Sequence, residues 1–205
     1  MSMRTGDFPR IVTFPRIVTI VLALVLAAGG AAAADRPDNS SLFQAHSHTI
    51  GLELAFVLIP FGFDDPYSAP IGASLFYEFR PDFESLPIFI GAIVSYFDFN
   101  PLNEYFGDSF MVQVGVYVGY EFVIFRTENN ALVLSPYSGY KHYFREHIFW
   151  DDSISTNRPI IAVGTKLNLH VSRRFSFGLG LEYNIIMDEN PIHTLVQTNR
   201  FSVGF

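Results

Sequence analysis

The 205-residue chain is 49% hydrophobic and 16% aromatic, with 16% charged residues and a formal net charge of −7. The acidic balance excludes the basic patch that nucleic-acid binding requires. The absence of cysteine excludes a disulfide scaffold, a thiol nucleophile, a cysteine-ligated metal and a lipid anchor on cysteine. The mean hydropathy of +0.26 is too low for a bundle of helical membrane spans.

At the N-terminus, Arg4, Arg10 and Arg16 precede an apolar run over residues 17–28, and Ala31, Ala32, Ala33 and Ala34 follow it. A positive segment, about a dozen apolar residues and a small-residue site, in that order, predict a secretory signal peptide over residues 1–34. A helical membrane anchor needs about 18–20 apolar residues and fits less well. Within this segment Phe8-Pro9-Arg10-Ile11-Val12-Thr13 recurs at once as Phe14-Pro15-Arg16-Ile17-Val18-Thr19, a duplication in a disposable stretch. Cleavage after Ala34 leaves ten basic and nineteen acidic residues in one domain's length of chain. The expected organisation is a signal peptide (1–34), a polar leader (35–48) and a single β-domain (49–205).

From residue 49 onward the chain alternates with a period of two, the signature of strands with one apolar face. Residues 49–59 carry Ile50, Leu52, Leu54, Phe56 and Leu58 on one face. Residues 70–80 carry Ile71, Ala73, Leu75, Tyr77 and Phe79, and residues 87–97 carry Ile88, Ile90, Ala92, Val94 and Tyr96. The longest alternation runs over residues 110–125, where every even position from Phe110 to Ile124 is a large apolar or aromatic residue. Residues 131–143, 159–171, 175–187 and 194–205 complete eight predicted strands. Turns over 81–86, 126–130 and 172–174 are short, whereas loops over 60–69, 98–108 and 144–158 are longer, with a fourth loop over 188–193. An even strand count with short turns at one end and long loops at the other is the pattern of an outer-membrane barrel. A lipocalin-like soluble barrel alternates too, but turns its apolar face inward.

The mixed face carries the acids Glu53, Glu78, Glu121 and Glu182 and the bases Arg80, Lys141, Lys166 and Arg200. If the apolar face meets lipid, these eight balanced charges lie in the lumen, where ion pairing is the physical solution to burial. Glycines such as Gly51, Gly91, Gly119 and Gly164 share this face and leave room for long side chains in a narrow bore. The loops hold Asp64, Asp65, Asp98, Glu104, Asp108, Glu146, Asp151, Asp152, Asp188 and Glu189 against Arg145 and Arg158. That excess either attracts the divalent cations that bridge lipopolysaccharide phosphates or merely solvates the loops. On the apolar face, Tyr77, Phe79, Tyr120, Phe122, Phe175, Phe177, Phe201 and Phe205 are predicted near one rim, and Tyr96, Phe110, Tyr140 and Tyr183 near the other, as two aromatic belts.

The chain ends Arg200-Phe201-Ser202-Val203-Gly204-Phe205, with Phe201, Val203 and the terminal Phe205 on one face. This resembles the C-terminal signal read by the bacterial barrel-assembly machinery. Together with the signal peptide and eight strands, the chain is similar to the small eight-stranded outer-membrane barrels: the OmpA transmembrane domain, OmpX and OmpW. The resemblance implies an all-β, eight-stranded antiparallel up-and-down transmembrane β-barrel in the bacterial outer membrane. It implies contact with outer-membrane lipid and lipopolysaccharide, passage through periplasmic chaperones and the assembly machinery, and a monomer.

Two small barrels of this kind are lipid A enzymes, a deacylase and a palmitoyltransferase. The deacylase's His-x-Ser pair fails here, because in His46-Ser47-His48 the serine adjoins the histidine. The palmitoyltransferase's ingredients exist in His147 with Asp152-Ser153, and in Asp108-Ser109, but such residues are common in any exposed loop. His142, His147, His170 and His193 show no metal-ligand spacing. The reading is a non-enzymatic barrel with no metal and no cofactor, in a structural, adhesive or narrow-pore role. An OmpW-like conduit for small hydrophobic molecules is the alternative, kept open by inward Phe76, Phe89, Ile93, Phe97 and Met111.

Overall fold

The computed structural model describes residues 47–61, 70–81, 87–99, 109–149, 152–172 and 174–205. The expected signal peptide and most of the leader lie outside these residues, as do parts of three acidic loops. Nine strand segments occur among them: β1 (His48–Phe61), β2 (Ile71–Phe79), β3 (Ile88–Phe99), β4 (Ser109–Tyr120), β5 (Phe122–Arg126), β6 (Ala131–Phe149), β7 (Asp152–His170), β8 (Phe175–Ile186) and β9 (Ile192–Gly204). Each pairs antiparallel with its sequence neighbour, and β9 pairs with β1 to close the ring. β4 and β5 both pair with β6, so they are successive parts of one stave broken at Glu121. The result is a closed eight-stranded up-and-down barrel.

The hairpin ends explain themselves locally. Thr127 and Asn130 close the β5–β6 turn, with the Thr127 N–H donating to the Asn130 carbonyl at 2.8 Å and its Oγ1 accepting from the Asn130 N–H at 3.0 Å. At the β7–β8 turn the Ser172 hydroxyl accepts the Phe175 N–H at 3.1 Å, a side chain standing in for a missing backbone partner. Closure is completed where the Phe205 N–H donates to the His48 carbonyl at 3.0 Å. Around the closed ring each stave is paired on both sides, the condition for a sheet surrounded by hydrocarbon.

The polarity is inside-out. The exterior presents Leu52 at 60% exposure and Val116 at 58%, with Leu54, Leu75, Ile90, Leu179 and Leu181 similarly open. Glu53, Glu78, Lys141, Lys166, Glu182 and Arg200 are buried within. This is the reverse of a soluble carrier barrel, which hides its apolar face. Twelve residues at about 3.3 Å each, tilted by about 40°, rise about 30 Å, enough to cross an outer-membrane apolar band. Tyr77, Phe79, Phe175, Phe177, Phe201 and Phe205 are exposed on the outside towards the turn end, and Tyr96 and Tyr140 towards the loop end.

Two departures from the sequence reading have physical causes. The sequence reading places a loop over 144–158; instead β6 continues to Phe149 and β7 begins at Asp152, paired in register from Ala131↔His170 to Phe149↔Asp152. β8 stops pairing with β7 at Ile160↔Ile186, so this hairpin projects beyond its neighbour by about seven residues, or roughly 25 Å of strand. The second is in the 110–125 alternation. A register shift between Val123 and Phe125 in β5 breaks the period, and Val123, Ile124 and Phe125 are all exposed. Phe125, expected on the mixed face, therefore points outwards.

Cross-strand register determines how a narrow bore holds large rings. Gly51 lies opposite Phe76, Gly72 opposite Phe97, Gly91 opposite Tyr117, Gly119 opposite Phe89 and Gly164 opposite Tyr137. In each pair the ring lies where the glycine's side chain would be, so that a Cβ would strike it. Each glycine is thus a slot for an aromatic on the adjacent strand. Gly91→Val is predicted to destabilise the barrel by about 1–3 kcal/mol through overpacking against Tyr117. Urea unfolding in lipid vesicles measures this, with the outward Val116→Ala as a control expected to change stability by less than about 1 kcal/mol.

Candidate functional site

The lumen is the site with chemistry. Glu78, near the turn end of β2, lies at its centre and is 3% exposed. Its Oε1 accepts from Lys166 Nζ at 2.9 Å, from an Arg200 guanidinium nitrogen at 2.8 Å and from the Tyr117 hydroxyl at 3.0 Å. Its Oε2 lies 3.1 Å from Arg80. Arg80 reaches Glu121 at 2.8 Å and Thr49 Oγ1 at 2.7 Å. The break between β4 and β5 at Glu121, whose N–H donates to the Pro87 carbonyl, sets this carboxylate beside Arg80. Arg200 also pairs with Glu53, at 2.6 Å, its direct cross-strand partner in the β1–β9 register.

A second cluster sits further towards the loop end. Lys141 pairs with Glu182, and the Tyr137 hydroxyl donates to the other Glu182 oxygen at 2.9 Å. Lys166 joins the two clusters through aromatic faces. Its ammonium lies 3.9 Å from the Tyr117 ring centroid, 4.4 Å from Tyr137 and 5.3 Å from Phe89. Burial of an ammonium is costly, and here a carboxylate and three ring faces offset that cost. The Arg200 guanidinium lies 3.8 Å from the Phe76 ring in the same manner.

The structure therefore brings Glu53, Glu78, Arg80, Glu121, Lys166 and Arg200 into one ion-paired group and Lys141 with Glu182 into another. Of the C-terminal residues, Phe201 and Phe205 are exposed on the outer face and Val203 is partly exposed there. Phe205 stacks with His48, their ring centroids 5.7 Å apart, which ties the end of the chain to the start of β1.

One lumenal cation lies where the sequence reading expects a loop. Arg145 is buried on β6, donates from Nε to the Ser109 hydroxyl at 3.0 Å and lies 4.1 Å from the Phe99 ring. Its signal was the continued alternation Lys141, Tyr143, Arg145, hidden by the polar composition around it. Above the charged layers, Ala55, Phe97, Phe99, Met111, Tyr143, Ile160, Ile186 and Val196 form an apolar cluster.

The remaining candidates divide. Side-chain positions of His147, Asp152 and Ser153, and all of Asp108, lie outside the described residues. His142 packs outside against Phe144, while His170 is buried on the opposite, inward-facing set of β7. His193 is hydrogen-bonded and stacked with Tyr183 on the outer face. At the loop end, the Glu189 N–H and then Arg158 hold the Asp188 carboxyl below the ordinary aspartate range.

Glu78→Gln is predicted to cost about 3–5 kcal/mol, since it leaves the buried Lys166 ammonium without a carboxylate and takes from Arg200 and Arg80 one of their two. Combined with Lys166→Met, the loss falls short of the sum of the single losses by about 0.5–3 kcal/mol in urea unfolding.

No protein-family model and no curated protein matches the chain. Among solved structures it is similar to Ail, the attachment invasion locus protein of Yersinia pestis, at 16% identity and a TM-score of 0.52, over 78% of this chain and 99% of that one. It is also similar to Neisserial surface protein A, at 13% identity and a TM-score of 0.57, over 79% of this chain and 99% of that one. The chain has the fold of these small eight-stranded outer-membrane barrels.

Proposed function

We propose that this chain is a non-enzymatic barrel of the bacterial outer membrane that serves as a structural and adhesive scaffold. The observation that carries this reading is the inside-out polarity: leucines, valines and aromatic belts outside, and ion-paired Glu78, Lys166, Arg200 and Arg80 inside. Such a surface is stable only in lipid, and such a lumen is crossed by its own side chains. In an eight-stranded bore, rings in glycine slots and bridging salt links occupy the space that free diffusion needs. The projecting β6–β7 hairpin is then what the barrel presents beyond the membrane. One fold neighbour carries attachment and invasion in its name, a role suited to a barrel built in this way.

Within this reading the signal peptide is removed after Ala34, the outer face contacts outer-membrane lipid and lipopolysaccharide, and Phe201, Val203 and Phe205 engage the assembly machinery. The apolar cluster of Phe97, Met111, Ile160 and Val196 at the loop end favours one alternative, an upper chamber that admits small hydrophobic molecules.

The purified protein is predicted to fractionate with outer membranes, to migrate differently on gels before and after boiling, and to show no porin-sized steady conductance in planar bilayers. Lys166→Ala is predicted to raise conductance, because it removes the ammonium between the two clusters. Lipid A acylation is predicted to be unchanged by expression. A soluble protein, a large steady wild-type conductance or altered lipid A would each overturn the reading.

A further inference from the structure

The outer surface is not uniformly apolar. On β9 the outward positions include Gln197 and Asn199, near the middle of the strand and both partly buried, with Gln197 Nε2 donating to Asn199 Oδ1 at 3.2 Å. Across the ladder, Gln197 lies opposite Leu181 and Phe56, and Asn199 opposite Leu179 and Leu54. Leu54, Leu179 and Leu181 are exposed and stand proud on either side, so the two amides lie in a furrow between leucine ridges. Towards the loop end the same side carries the Tyr183–His193 hydrogen bond. A polar stripe thus climbs one side of the barrel. Diametrically opposite, β4 presents Val112, Val114, Val116 and Val118.

If the outer face lies in lipid, as the proposed function holds, this stripe is an anomaly. One hydrogen bond between Gln197 and Asn199 leaves the Gln197 carbonyl and several amide N–H groups to face hydrocarbon chains, which offer neither donor nor acceptor. Lipopolysaccharide phosphates and sugars lie at headgroup depth and do not reach the middle of a strand. A primary amide is both donor and acceptor, so it is complementary to another copy of itself. Two upright barrels related by a two-fold axis along the membrane normal bring identical residues together at identical depth. Polar side chains and close packing, rather than hydrophobicity, drive association between segments in lipid.

We propose that the Gln197–Asn199 stripe is the contact by which two copies of this barrel pair side by side in the membrane, β9 against β9. The four amides hydrogen-bond across the two-fold axis, and the leucine ridges of β1 and β8 pack around them. The partner is a second copy of the chain, in place of the monomer that the family resemblance implies.

The chain contains no cysteine, so single cysteines report proximity cleanly. Leu54→Cys and Leu179→Cys flank the furrow, and Val116→Cys lies on the far side. Each variant is treated in membranes with a flexible bis-maleimide, and each is tested for the gel shift of a folded barrel. The two flanking variants are expected to cross-link to a dimer of the chain, with Val116→Cys at least tenfold weaker. Adding Gln197→Leu and Asn199→Leu is expected to cut the flanking yields about tenfold while the folded-barrel shift persists. Equal yields at all three positions, undiminished yields in the leucine variants, or cross-links to a different protein would overturn the pairing. Folded, membrane-inserted variants that do not cross-link sink the pairing alone; failure of the unmodified chain to insert sinks the membrane reading beneath it.

Discussion

The Glu78 carboxylate is the interaction on which the interior depends. It receives Lys166 from β7, Arg200 from β9, Tyr117 from β4 and Arg80 from its own stave, so it links four sides of the ring across the lumen. Strand number and ladder register set the mean bore of the barrel, and this charged crossing braces its opposite walls against one another. Any displacement of one wall separates ions that are poorly screened in a buried, ring-lined space. The second cluster, Lys141 with Glu182 and Tyr137, repeats the device one layer towards the loops.

Glycine makes this crossing possible. An eight-stranded bore has little room, and Tyr117, Tyr137, Phe76 and Phe89 are large. Each takes the space vacated by a glycine directly across the strand, and their ring faces then cover Lys166 and Arg200. The order of causes runs from a residue without a side chain, to a ring lying in its slot, to a cation held on that ring. On the outside, the partly buried amides of β9 stand out against the valines of β4.

Much of this was legible in the sequence because strands alternate strictly. Period-two faces marked Leu52, Val116 and Leu179 as outward and Glu78, Lys166 and Arg200 as inward without knowledge of any partner. Alternation misleads where a residue is inserted or where composition looks loop-like. The shift at Ile124 turned Phe125 outwards, and the charges around Arg145 and Glu146 disguised two strands as a loop although the inward series Lys141, Tyr143, Arg145 continues unbroken. Pairing between strands is a different kind of information. That Gly91 meets Tyr117, or that Arg80 reaches Glu121, depends on register across the ring, which no single strand's pattern contains.

The central claim is that the apolar face of every stave meets lipid while the charged face is sealed inside. Because the chain lacks cysteine, spin labels placed one at a time along β4, from Val112 to Val118, read this directly in membranes. The account predicts that labels at Val112, Val114, Val116 and Val118 collide with oxygen dissolved in lipid. Labels at Gln113, Gly115 and Tyr117 should be immobilised and shielded from it. Water-soluble quenchers reaching the valine positions, or no alternation at all, would contradict it.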